Sequence, residues 1–186
     1  KVISFAEAAE LAYFGARVLH PSTLVPAIEK DIPVMILNSL RPDVPGTEIV
    51  SDSVPCQNVI KSVSCKRNVT VVSICSTRML GAHGFLRRIF EIFDRHATSV
   101  DMVSTSEVSV SATIDNASAL ASIRSELEEF SMVEVEKNQA IVCLVGDNIR
   151  FTPGVCGRVF QTLKGINIRM VSQGASLRNL GFVVSA

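Results

Sequence analysis

Apolar residues recur along this chain at helical spacing in some stretches and in alternation or short runs in others. Glu7 to Leu19 is rich in alanine, with Ala8, Leu11, Ala12 and Ala16 at helical intervals, and predicts a helix stopped by Pro21. Ser22 or Thr23 can cap a short helix over Leu24 to Lys30, and Ile32 to Leu37 reads as a compact buried strand. Asn38 to Asp52 carries Pro42, Pro45 and Gly46 and predicts a turn-rich connector. Polar Ser53 to Asn68, with Pro55, extends it.

From Val69 the pattern becomes regular. Val69 to Cys75 predicts a strand, Gly81 to Gly84 a loop, and Phe85 to about His96 a helix. On that helix Phe85, Leu86, Ile89, Phe90 and Phe93 form one stripe, opposite Arg87, Arg88, Glu91 and Asp94. Val100 to Thr105 predicts a strand, and Glu107 to Ile114 alternates strictly between apolar and polar positions. Leu120, Ile123, Leu127 and Phe130 then mark a helix, and Val133 to Lys137 a short strand. Strand, helix, strand, strand, helix, strand is the order in which two helices cover one face of a four-stranded antiparallel sheet, a ferredoxin-like α+β layer.

The pattern then restarts. Ala140 to Val145 predicts a strand, Thr152 and Pro153 an N-cap and first helical residue, and Gly165 a C-cap. Ile168 to Ser172 and Leu180 to Val184 predict two more strands. Val159-Phe160 with Leu163 matches Ile89-Phe90 with Phe93, and Met170-Val171-Ser172 matches Met102-Val103-Ser104. This repetition implies two copies of one βαββαβ module. The second copy lacks its last helix and strand, so Leu24 to Leu37 is expected to complete it, with the first module inserted in the second. The expected division is 1–22, a linker helix; 23–68, a helix and strand of the second module plus a connector; 69–138, the first module; and 139–186, the second.

Composition narrows the function. With 186 residues, 47% of them hydrophobic, the chain can bury real cores, and a formal net charge of zero offers no surface for a phosphate backbone. A nucleic-acid-binding sheet also needs exposed aromatics, yet the chain has no Trp and one Tyr. Its apolar runs are too short to span a bilayer, and no signal peptide is apparent. Five cysteines (Cys56, Cys65, Cys75, Cys143 and Cys156) include no CxxC pair and no nearby histidine, which argues against a metal site and for reduced, core-filling thiols. Gly154 to Gly157 lacks a P-loop lysine and reads as a helix start. Both ends read as interior to something longer.

Glu10 to Pro21 (ELAYFGARVLHP) resembles the segment of aspartate kinases that joins the catalytic domain to the regulatory region. Pro33 to Ser39 with Pro45 to Ile49 is similar to the stretch after that segment in the same family. Met79-Leu80, Gly84-Phe85-Leu86 and Ser99 to Ser109 are similar to the first ACT module of the lysine-sensitive, monofunctional enzymes, and Met170 to Ser176 to the second. The resemblance implies a parent enzyme that phosphorylates the side-chain carboxylate of aspartate with ATP and Mg. It implies that the catalytic domain lies outside this fragment, which would itself hold no cofactor and no catalytic residue. It also implies L-lysine as a feedback effector, homodimers formed through ACT modules, and a cytoplasmic or, in a plant, plastid-stromal location. Two alternatives are a ligand-free ACT dimerisation module and the threonine-responsive region of a bifunctional aspartokinase–homoserine dehydrogenase. Val100-Asp101 and Thr105 to Val108 favour the lysine type.

By the same resemblance the lysine shell would be Met79, Gly84, Phe85, Leu86, Val100, Asp101, Ser106, Glu107 and Val108. The chemistry is apt. Unpaired N–H groups in the first turn of the helix after Gly84 suit a carboxylate, and Asp101 and Glu107 can accept from ammonium groups. The chain departs from some relatives at Gly81 and Ala82, where they carry a polar side chain; His83 stands next to them. In the second module Arg169 holds the place of Asp101, and its cation would repel an ammonium. The second module is therefore expected not to bind lysine in the same way.

Overall fold

The structure is a computed structural model that describes residues 1–16, 19–52, 58–79 and 83–186. The expectations placed on Cys56, Leu80, Gly81 and Ala82 lie outside the described residues. The chain divides into two compact units: Lys1–Lys66 with Val142–Ile166 and Gln173–Gly181, and Arg67–Ile141 with Asn167–Ser172 and Phe182–Ala186.

The N-terminal part opens with β1 (Val2–Ser4), α1 (Phe5–Tyr13), α2 (Pro21–Glu29), β2 (Val34–Ile36) and β3 (Thr47–Val50). α1 starts earlier than its alanine pattern predicts, because Ser4 and Glu7 form a reciprocal capping box. Pro21 does not stop a helix but begins one, as the first residue of α2 behind an N-cap at His20, whose ring accepts from the Ser22 N–H. The three strands form a sheet of order β1–β3–β2, with β1 parallel and β2 antiparallel to β3. Ile3, Phe5, Ala8, Leu24 and Ile49 make its core.

This arrangement corrects two expectations. The run Ile32 to Leu37 is not a buried strand, since Ile32, Met35 and Leu37 are exposed. Nor does it complete the second module, because β2 pairs with β3 and takes no place in the larger sheet.

The larger sheet has six strands in the order β5–β6–β4–β7–β9–β8. They are β4 (Ile60–Cys75), β5 (Met102–Thr105), β6 (Ser109–Ile114), β7 (Met132–Gly146), β8 (Ile168–Gln173) and β9 (Asn179–Ser185). Three helices accompany them: α3 (Phe85–Arg95), α4 (Leu120–Glu128) and α5 (Val155–Thr162). The first repeat is β4–α3–β5–β6–α4–β7, with the strand order β5–β6–β4–β7 of a ferredoxin-like layer. The second begins on the later half of β7 and continues through α5, β8 and β9, so its order β7–β9–β8 lacks a fourth strand. The strand on the open side of β7 is β4, whose early residues belong to the same unit as Val142–Ile166. The first repeat is thus inserted in the second, and the strand that flanks it is the start of β4.

That start lay hidden in sequence. Ile60 to Lys66 is polar at alternate positions and carries no turn signal, and β4 runs through it for 16 residues. β7 likewise joins two predicted strands, because Asn138 takes the left-handed conformation (φ 57°) without ending the strand. Asn68 does the same in β4 (φ 60°). Asparagine tolerates this region better than other residues with a side chain. The antiparallel pairing of β4 and β7 is bracketed by Asp147 N–H donating to the Val59 carbonyl and Ser76 Oγ donating to the Phe130 carbonyl.

In the first repeat, Val72 and Ile74 of β4, Val110 and Ile114 of β6, and Ile89 and Phe93 of α3 lie in one core with Ile123 and Leu127 of α4. The stripe predicted for α3 is narrower in fact: Ile89, Ile92 and Phe93 are buried, while Leu86 and Phe90 are exposed. At the far end of α3, Arg95 and His96 both bond Glu126 of α4, His96 Nε2 at 2.6 Å. Those bonds, His96 first, hold the Glu126 carboxyl below its ordinary range.

The thiols separate by environment. Cys143 on β7 is fully buried, and burial, with a smaller contribution from the Glu10 charge, pushes its pKa from 9.0 up to about 12. A thiol that stays protonated in the fold but ionises when unfolded makes the native state hold the extra proton. The contribution of this thiol to stability is therefore fully present below pH 9.0 and is lost as pH rises towards 12. The slope can reach about 1.4 kcal/mol per pH unit. At pH 8 iodoacetamide should label exposed Cys65 and leave Cys143 until the chain is unfolded. Peptide mass mapping reads the difference, and equal labelling of both would refute this packing.

Candidate functional site

The first repeat gathers seven of the nine candidate residues at one end of its sheet. β4 leaves the sheet at Cys75 and enters a single 3-10 turn, Thr77–Met79, whose Met79 packs against the core. Chain direction reverses into α3 through Gly84, which serves as N-cap in the left-handed region (φ 79°). Among the described residues no side chain caps α3, and no acidic residue lies in its first turn. Its free N–H groups give this end a partial positive charge to which Arg88 adds, while Arg87 pairs with Glu91 at 2.6 Å. Phe85 packs edge-on against Phe130, ring centres 5.5 Å apart, and the Arg88 guanidinium lies 3.9 Å over the Phe130 ring. Leu86 is exposed one residue on.

The loop between β5 and β6 stands at the same end. Ser76 N–H donates to the Val108 carbonyl at 2.9 Å, which ties that loop to the exit of β4. Ser106 closes the turn on Ser109, hydroxyl to hydroxyl at 2.6 Å and N–H to carbonyl at 2.8 Å. Glu107 and Val108 project from it, both exposed. Met79, Gly84, Phe85, Leu86, Ser106, Glu107 and Val108 therefore share one end.

Val100 and Asp101 do not. Asp101 N–H donates to the Thr113 carbonyl at 2.9 Å, and Thr113 pairs with Val71. Asp101 thus stands where β5 begins and Ser106 where it ends. At about 3.3 Å per residue the two are separated by roughly 16 Å. One copy of the module does not bring Asp101 to the start of α3. β5, which connects them, is an edge strand of the sheet, with Val103 exposed between buried Met102 and half-buried Ser104.

The second repeat shows the same helix start with different chemistry. α5 begins at Gly154 (φ 76°), not at Thr152 and Pro153 as the sequence predicts, and again has no side-chain cap. Arg169, in the place of Asp101, pairs with Glu136 of β7 at 3.2 Å.

Sequence reasoning missed Arg88 and Phe130 as neighbours of Phe85, since nothing in the spacing of Phe130 sets it against α3 rather than deeper in the core. It also gave no role to Glu10, whose partners are 166 and 169 residues away.

The ACT domain family model matches residues 72–130 and 142–186, covering both repeats. The chain belongs to the ACT domain family. Its relatives include aspartokinase 1, chloroplastic, of Arabidopsis thaliana, 44% identical over 194 residues, with 98% of this chain and 34% of that protein covered. Lysine-sensitive aspartokinase 3 of Escherichia coli is 42% identical over 190 residues, covering 98% of this chain and 42% of the other. The crystal structure of Escherichia coli aspartokinase III in complex with lysine and aspartate, a T-state, superposes with a TM-score of 0.84 at 42% identity, covering all of this chain and 42% of that one. The chain thus spans 34% and 42% of the length of these two curated relatives. The stretch before both ACT matches, residues 1–71, includes the three-stranded sheet.

Proposed function

We propose that this chain is the regulatory part of an aspartate kinase and that its first ACT repeat binds L-lysine at a site shared by two copies. One observation carries the reading: the candidate residues divide between the two ends of β5, and β5 is an edge strand. Two β5 edges set antiparallel across a two-fold axis would put Asp101 of each copy beside the Ser106 end of the other. Lysine fits the pair of ends. Its carboxylate matches the uncapped N-terminus of α3, and its ammonium groups match Asp101 and Glu107. Lysine sensitivity in the Escherichia coli relative supports the choice of ligand.

In this reading phosphoryl transfer to aspartate, with ATP and Mg, belongs to a catalytic domain beyond these residues. The chain supplies regulation. Lysine favours one arrangement of the ACT dimer and the kinase responds, at a coupling of about 1–3 kcal/mol. The setting is the cytoplasm or, in a plant, the plastid stroma, in keeping with chloroplastic relatives. Among the described residues no helix is long and apolar enough to cross a membrane.

Sedimentation velocity tests the shared site. L-lysine should shift the chain from monomer towards dimer by mass action, as any ligand does that binds only the assembled form. Lysine binding that leaves the sedimentation of a monomeric chain unchanged would place the site within one copy and defeat the proposal.

A further inference from the structure

The end of the second repeat that corresponds to the candidate site of the first is filled differently. In the first repeat the β5–β6 loop exposes Ser106, Glu107 and Val108, and its Ser106 hydroxyl is used within the loop against Ser109. In the second repeat the β8–β9 loop receives a side chain from far along the chain. Glu10, on α1, accepts from Ser176 Oγ on one carboxylate oxygen and from Asn179 Nδ2 on the other, each at 2.7 Å.

The loop is shaped around that carboxylate. Ser176 Oγ also accepts from the Arg178 N–H at 3.1 Å, and Gly174 turns the chain in the left-handed region (φ 99°). Gly146 N–H donates to the Arg178 carbonyl at 2.9 Å, and Arg150 N–H to the Leu177 carbonyl at 3.3 Å. These bonds fix the loop to the end of β7 and to the turn before α5. The reach of Glu10 extends to β7 itself, where its charge adds to burial in raising the Cys143 thiol.

We propose that the loop end of the second ACT repeat is a carboxylate receptor whose occupant is the chain's own Glu10, which fastens α1 there in place of a free ligand. The likeness to a ligand site rests on the reading of the first repeat given above; the clasp itself does not. Its consequence is that this end of the second repeat is closed to free amino acids and couples to the N-terminal segment that carries α1.

Hydrogen exchange on the whole chain, without lysine, tests the clasp separately from the effector site. Glu10→Ala should speed amide exchange across residues 175–179 by at least about tenfold, as expected for losing charge-assisted bonds. Exchange across 106–109 should not change. Glu10→Gln, which keeps one acceptor, should fall between the two. Added acetate should slow exchange in Glu10→Ala and have no effect on the unmodified chain. Unchanged exchange in Glu10→Ala, or acetate acting equally on both, would overturn the proposal. If Glu10→Ala does not fold, the loop side decides. Ser176→Ala with Asn179→Ala should speed exchange across Phe5–Tyr13, and unchanged exchange there would overturn it.

Discussion

Replacing Glu7 with alanine should destabilise this protein by about 3–5 kcal/mol, a large share of the roughly 5–15 kcal/mol that holds a domain together. The Glu7 and Lys61 side chains are only 1% and 4% exposed and face each other at 2.9 Å. Glu7 Oε2 meanwhile accepts from the Ser4 N–H, so one carboxylate both starts α1 and neutralises a cation on β4. Truncation breaks an ion pair whose two side chains are both buried and removes the Ser4 cap bond with it, so the loss combines the two. The lost cap contributes about 1 kcal/mol of it.

Urea unfolding of Glu7→Ala, Lys61→Met and the double variant reads the effect. The double variant should recover much of the loss, because an apolar pair avoids the desolvation that a single charge suffers. A Glu7→Ala shift under about 1 kcal/mol would mean that water reaches the pair.

Asp101→Ala should weaken L-lysine binding by roughly 10- to 150-fold, the worth of one hydrogen bond to a charged group at about 1.5–3 kcal/mol. The backbone N–H of Asp101, which survives the substitution, keeps the bond to Thr113 at the start of β5, and urea unfolding of the same variant reads its stability separately from its affinity. Separate loss of binding and of stability is what distinguishes a ligand acceptor from a structural one. Asp101→Asn keeps the shape and an acceptor but removes the charge, so its affinity should lie between. An Asp101→Ala chain that binds lysine as well as the parent would remove Asp101 from the shell.

The same contrast shows where the sequence could be read and where it could not. The first repeat was legible because each element carried its own period. Val110, Ala112 and Ile114 alternate onto the core, and Ile123 and Leu127 recur at helical spacing there. Burial decided those residues, and burial leaves a pattern. The start of β4 left none, because Ile60 to Lys66 is only partly buried and alternates weakly. β3 was masked by Pro45 and Gly46 just ahead of it, which signalled a turn correctly and drew attention from Thr47 to Val50. Ile32 to Leu37 misled in the opposite direction. It is apolar enough for a core but stands largely exposed, and composition does not reveal which layer covers a strand.

For the candidate site the sequence supplied the residues and not their arrangement. Gly84 and the uncapped start of α3 were foreseeable from the lack of a capping side chain. The distance between Asp101 and Ser106 was not, because the direction of β5 matters only once α3 has been placed against β4. The division of the candidate residues between two ends of one strand is what makes the case for two copies.

Regulation by lysine is tested most directly by a calorimetric titration of the unmodified chain with L-lysine, with D-lysine and L-threonine as controls. Saturable heat is expected with L-lysine alone, at one equivalent per chain, together with a melting temperature that climbs as lysine is added. No heat with any of the three, or heat with L-threonine in place of L-lysine, would contradict it.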